Sequence, residues 1–302
     1  MNILVTSSGG PAAVGVIKSI RKLKEKHKIV ATDINELSVG LEMADESYIV
    51  PSVEKDFFFE AIHRLIIDEN IDVILPTGNL EIEKFEPLSK ITKVFMSDSK
   101  TIKLCNDKFE FYEKTKKDFD LPKTWLENGK LKGECFAKPR FEVGGSRGVK
   151  FCRTMNDIIC AHQADSEYVF QDYLPGQEYT IDVLCDMDSN PLIAIPRKRL
   201  ETKAGISSKG EIISDEYIIK ECKRLCKFLS LKGPVCIQMK EDDNGKPKFI
   251  EVNPRFGGGS YFSTLAGVNF VEIIIRILEG KEIFISEPKK IKVIRYFEEI
   301  VI

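Results

Sequence analysis

The chain is poor in the residues that most metal and nucleophile chemistry requires. Only three histidines occur in its 302 residues, His27, His63 and His162, and none neighbours another. That removes the basis for a histidine-ligated zinc site and for a histidine-based triad. Eight cysteines are present, but no C-x-x-C pair. Cys222 and Cys226 fall on an expected helix, where two ordinary thiols fit better than metal ligands. The scattered cysteines point to a reducing compartment, the cytoplasm. No apolar run approaches the roughly 18 residues of a membrane helix. Residues 1–6 lack a basic leader and are expected to form a buried strand. An excess of one charge is missing too. With 45 basic and 47 acidic residues the net charge is -2, which is no footprint for nucleic acid.

What remains is ordinary soluble composition, 43% hydrophobic and 30% charged, in a chain long enough for several subdomains. Residues 1–97 alternate strand and helix. Strands are expected over 3–5, 28–32, 72–75 and 94–96, and helices over 11–25, 54–69 and 82–89. This pattern implies a parallel, doubly wound sheet. A Gly-rich turn follows the first strand, but Gly9, Gly10 and Gly15 do not make G-x-G-x-x-G. Val16 and Ile17 after Gly15 break the P-loop pattern. No nicotinamide or flavin is therefore expected here, only a tight turn that touches substrate.

From residue 98 the pattern changes to two short capped helices and then mostly strands, over 134–139, 148–151, 168–171, 179–185 and 192–196. Helices are expected over 156–163, 213–229 and 270–279, with a last strand over 291–297. One hairpin stands out. Taking Asn244-Gly245 as its two-residue loop sets Gln238 opposite Glu251 and Cys236 opposite Asn253. Gln238, Glu251 and Asn253 then share one face, with Val235, Ile237, Met239, Ile250 and Val252 on the other. Three oxygen-bearing side chains at one spot suit a hard cation such as magnesium, although a half-solvated hairpin is polar on its outer face in any case. Arg255 and the glycines 257–259 follow directly.

Upstream, Lys138-Pro139 leads into a loop holding Gly144, Gly145, Ser146, Arg147 and Gly148, a composition suited to covering polyphosphate or to a simple glycine-rich turn. Residues 171–178, from Gln171 through Leu174 to Glu178, join two strands, a connection suited to a base edge and ribose hydroxyls or to a plain loop. Arg197, Arg199, Lys203 and Lys209 surround Ala204-Gly205, as a solvated loop or as a claw for an anion.

In this order, Lys108, Lys138-Pro139, the glycine loop, residues 171–178, Gln238 and Glu251-x-Asn253-x-Arg255 resemble the ATP-grasp superfamily. The likeness is closest to stand-alone relatives of the synthetase half of the carbamoyl-phosphate synthase large chain. It covers residues 98 to about 280, and residues 1–97 look like the pre-ATP-grasp domain. The fold it implies is α/β and α+β: a doubly wound domain over 1–97, then a two-subdomain ATP-grasp domain over 98–302. The smaller, nucleotide-clamping part would be 98–170 and the larger, metal-binding part 171–302. The resemblance further implies ATP phosphates on Lys108 and Lys138 under the loop 144–148, and adenine beside Gln171 and Leu174. Glu178 would take the ribose, and Gln238, Glu251 and Asn253 would take magnesium (two ions, with manganese as an alternative). Arg255 would steady the γ-phosphate, with Lys138 and Arg199 as the other catalytic candidates and Arg199, Lys209 and 257–260 at the acceptor. Lys108 stands where the synthase has arginine, Arg147 interrupts a loop of small residues, and only one ATP-grasp unit is present. Carbamoyl phosphate synthesis is therefore not expected. The expected activity is a cytoplasmic ligase joining a small-molecule carboxylate to an amine or thiol through an acyl phosphate. A small-molecule kinase and a non-catalytic ATP-binding protein are the alternatives. Neither nucleic acid nor membrane is an expected partner, and a homodimer is left open.

Overall fold

The computed structural model describes residues 1–126, 134–141, 147–164 and 167–302. The first unit alternates β1 (Asn2–Val5), α1 (Pro11–Arg21), β2 (Lys28–Asp33), α2 (Val39–Glu42), β3 (Glu46–Ile49), α3 (Phe58–Asp68), β4 (Val73–Leu75), α4 (Asn79–Ile82) and β5 (Lys93–Val94). Its strands lie parallel in the order β3-β2-β1-β4-β5. β1 and β4 are wholly or mostly buried apolar runs, as strands covered on both faces must be. The connections from β1 run to β2 on one side and the chain returns to β4 on the other, which makes the β1/β4 boundary a topological switch point.

Two differences from the sequence expectation have physical causes. All four residues of β3 are exposed at the sheet edge, so no burial alternation marks them. In place of a helix over 82–89 there is α4 and then a 3-10 turn at Glu86–Lys90, where Pro87 at its start cannot continue an α-helical ladder.

Next come α5 (Ser99–Asn106), α6 (Lys108–Thr115), β6 (Thr124–Trp125), β7 (Cys135–Pro139), β8 (Lys150–Cys152), α7 (Met155–Ala164) and β9 (Tyr168–Asp172). Their strands form an antiparallel sheet ordered β6-β9-β7-β8. The rest is built on a six-stranded sheet: β10 (Glu178–Cys185), β11 (Pro191–Lys203), β12 (Ile206–Ile212), β13 (Gly233–Glu241), β14 (Pro247–Asn253) and β15 (Lys292–Ile294), ordered β14-β13-β10-β11-β12-β15. Three helices accompany it, α8 (Glu216–Phe228), α9 (Tyr261–Leu265) and α10 (Phe270–Leu278).

The first unit and the six-stranded sheet share one core. Ile3, Val5, Ala13 and Ile17 pack in the same cluster as Leu184, Ile195, Phe262 and Ile274. Ser19 adds a hydroxyl contact to Thr264 at 2.8 Å, and Asn269 donates to the Ser19 carbonyl at 2.8 Å. Burial of this kind is worth about 25 cal/mol per Å² of apolar surface, and it holds the switch point against the larger sheet.

Candidate functional site

A cleft of about 970 Å³ runs between the four-stranded and six-stranded sheets and ends at the switch point of the first unit. Its floor is the β13–β14 hairpin. Gln238 pairs with Glu251 and Cys236 with Asn253, as the sequence reading expects. The turn differs. Asp242 and Lys246 close a three-residue loop, with Gly245 at φ 76, a conformation only glycine adopts freely. That shifts the register by one, pairing Met239 with Phe249, and a bulge between Met239 and Gln238 restores it, pairing Gln238 with Glu251. The correction falls on Ile250. It is the extra residue of the bulge and lines the cleft, while Phe249 takes the core position.

The cleft brings together Gln238, Glu251, Asn253 and Arg255 with Lys108, Lys138, Gln171, Leu174, Glu178 and Arg199. Lys138 lies on β7 and donates to Gln171 Oε1 on β9 at 2.7 Å. Its ammonium sits deep although the side chain is partly exposed, and burial lowers its pKa to about 8, against the pull of Glu251. Asp107 caps α6 by accepting from the Phe109 and Glu110 N–H groups and grips Arg140 through both carboxylate oxygens. The Lys108 N–H donates to the Arg140 carbonyl at 2.9 Å, so Lys108 is delivered beside β7. Arg199 is bound on three sides, by Glu178 at 2.6 Å, by Gln238 Oε1 at 3.2 Å and by the Gly205 carbonyl at 2.6 Å. Glu178 therefore faces the cleft as half of an ion pair.

Gly144, Gly145 and Ser146 lie outside the described residues. Arg147 and Val149 line the cleft, whereas Gly148 rests against Pro139 and takes a hydrogen bond from the Tyr168 hydroxyl on its carbonyl at 2.8 Å. Lys209 is turned away and pairs with Glu201 at 2.8 Å. Gly258 and Gly259 line the cleft. Ala204 and Gly205 both have positive φ and form the tight turn between β11 and β12, placing Thr202, Ile206 and Ser207 at the cleft wall.

Arg255 stands at the junction. It donates to Asn79 Oδ1, to the Phe256 carbonyl at 2.7 Å and to Asn253 Oδ1 at 3.2 Å, and Asn253 in turn donates to Glu251. Asn79 begins α4 just beyond β4, where the switch-point rule places ligands, and that rule is the signal by which sequence reasoning could have found it. Beneath it Glu81 is buried and accepts from Thr6 and the Gly78 N–H; burial raises its pKa. Gln238, Glu251 and Asn253 offer one carboxylate and two amide oxygens, the amide oxygens each also accepting from an arginine. A magnesium ion fits such a set when polyphosphate supplies further oxygens.

A parallel sheet whose switch point opens onto a nucleotide-sized cleft between two antiparallel sheets is the ATP-grasp architecture. Residues 164–300 match the family described as ATP-grasp in the biosynthetic pathway with Ter operon, and residues 3–99 match the PylC-like, N-terminal domain. The chain thus carries an ATP-grasp domain behind a PylC-like N-terminal domain. No curated relative matches it significantly. Among solved structures it resembles the biotin carboxylase domain of Hydrogenobacter thermophilus 2-oxoglutarate carboxylase in complex with MgADP (TM-score 0.73, 19% identity, 94% of this chain and 71% of that one). N5-carboxyaminoimidazole synthetase from Staphylococcus aureus complexed with ADP is similar (TM-score 0.74, 17% identity, 95% and 78%). So is L-amino acid ligase from Bacillus licheniformis (TM-score 0.72, 16% identity, 92% and 74%). At these identities the likeness is one of fold.

Proposed function

We propose that the chain is an ATP-dependent ligase that joins a small-molecule carboxylate to an amine. The observation that carries this reading is the single cleft in which Lys138, Glu251, Asn253 and Arg255 meet the switch point of the N-terminal domain. Its resemblance in fold to a carboxylase domain, a synthetase and an amino acid ligase supports the same class.

In this reading the base lies beside Gln171, Leu174 and Ile250, and the ribose beside Glu178 and Arg199. Lys108 and Lys138 neutralise the phosphates, and Arg255 faces the γ-phosphate. Gln238, Glu251 and Asn253 would hold magnesium, whose charge would offset that of the polyphosphate. A carboxylate oxygen of the substrate attacks the γ-phosphorus. The bond to the β,γ-bridging oxygen breaks, its electron pair leaves with ADP, and an acyl phosphate forms. The amine nitrogen then attacks the acyl carbon, the carbon–oxygen bond breaks to release inorganic phosphate, and the nitrogen loses a proton. The first step needs no general base, because the carboxylate is already ionised, and among the described residues no histidine lines the cleft. The protein contributes position and charge neutralisation, as phosphoryl transfer requires.

The test is the fate of the phosphoryl group. With the correct acid, hydroxylamine should trap the intermediate as a hydroxamate, with ADP and free phosphate released in equal amounts. A stable phosphate ester as the stoichiometric product, without free phosphate, would instead make the chain a kinase.

A further inference from the structure

The two halves of the cleft differ in charge. The nucleotide half gathers five cations, Lys108, Lys138, Arg147, Arg199 and Lys240, against three acids, Asp172, Glu178 and Glu251. On the switch-point side, the residues that the N-terminal domain contributes are small, apolar or neutral polar, with one exception. Asp33 is the only charged residue among them.

Asp33 ends β2. Its Oδ2 accepts from the Gly9 N–H at 2.8 Å and its Oδ1 from the Asn35 N–H at 3.0 Å. Each oxygen keeps a further lone pair, the side chain is half-buried, and it forms no ion pair among the described residues. Ser7 and Ser38 line the cleft around it, and Ile34 and Leu80, 64% and 60% exposed, form apolar walls at the mouth. At the other end stands Arg255, tied to Asn79 beyond β4. β2 and β4 flank β1, so their ends are about two strand spacings, roughly 10 Å, apart.

A carboxylate and a guanidinium facing one crevice from opposite ends complement a molecule that carries both charges. Resting on the ligase reading above, we propose that the activated acid is itself an amino acid, with its carboxylate toward Arg255 and its protonated amine on Asp33. An amine held by a carboxylate stays protonated and is no nucleophile. The amine of the activated molecule is thereby not the nucleophile of the second step, and a separate amine is required.

The experiment uses the full chain with Mg-ATP and measures ADP release. The probes are the twenty amino acids and a series from glycine and β-alanine to 5-aminopentanoate, alone and in pairs, each beside the matching acid without the amine. ATP binding is measured first by calorimetry; its absence would defeat the ligase reading itself, a result distinct from those below. Given ATP binding, the proposal expects turnover with an amino acid and at least tenfold less with its deaminated counterpart. Asp33→Asn keeps an acceptor oxygen for Gly9 while removing the charge. It should raise KM for the amino acid at least tenfold, with ATP affinity within twofold of the parent. Equal turnover of the deaminated acid, an unchanged KM in Asp33→Asn, or no turnover with any amino acid in protein that binds ATP would each overturn it. The comparison of the two acids on the parent chain stands even if the variant fails to fold.

Discussion

Lys138 offers a prediction that can be worked through from the structure to a calorimeter. Burial brings its pKa down to about 8, whereas a polyphosphate beside it would favour the charged form. In the free protein the ammonium is then about three-quarters protonated at pH 7.5 and about one-tenth at pH 9, from the titration equation. If only the protonated form grips phosphate, ATP affinity falls about eightfold over that interval, about 1.2 kcal/mol. Binding at pH 9 should also take up about 0.9 proton, and at pH 7.5 about 0.25. The sign follows from the order of the two pKa values, with the bound value above the free one, so that uptake grows as pH rises past 8. Titration calorimetry in two buffers of different ionisation enthalpy reads the uptake directly. Lys138→Arg carries a group that stays charged throughout, and its affinity should be flat across the same range. A flat profile in the parent, or no proton uptake at pH 9, would refute a Lys138 of lowered pKa that grips the phosphates.

Glu251→Gln removes the one carboxylate of the Gln238, Glu251 and Asn253 set; turnover should fall at least a hundredfold while the urea midpoint stays within experimental error. Arg197 is wholly buried, paired with Asp182 at 2.7 Å and stacked over Phe262, and Asp182 also accepts from Ser263. Arg197→Met would leave that carboxylate buried and unpaired, so stability should fall by about 3–5 kcal/mol in a urea titration, and a loss under 1 kcal/mol would contradict this account of the pair.

The sequence reveals those parts of the fold where burial leaves a period in the residues. Strands β1 and β4 are legible because both faces are covered and the runs are apolar. β3 is not, because an exposed edge strand needs no apolar residue. β12 escapes for a different reason. Its start is set by the Ala204-Gly205 turn, and alanine at φ 48 is not a residue that announces such a turn. Arg197 and Arg199 accordingly read as part of a loop, when they lie on a strand and one of them is core.

The site divides along the same line. Gln238, Glu251 and Asn253 are readable because strand alternation puts them on one face, and that pairing holds even though the turn beneath it has one more residue than the two-residue loop expected. Two departures cancel: the longer turn moves the register, and the bulge at Ile250 moves it back. What a single bulge cannot preserve is the side of the sheet on which the extra residue falls, and so Ile250 faces the cleft. The contact of Asn79 with Arg255 lies beyond any such rule of spacing, since 176 positions separate the two. Only the shared core of the first unit and the larger sheet brings the two together, and that contact is a property of packing between units. The part of the cleft on the β13–β14 hairpin can therefore be read from local pattern, and the part at the switch point requires the assembled fold.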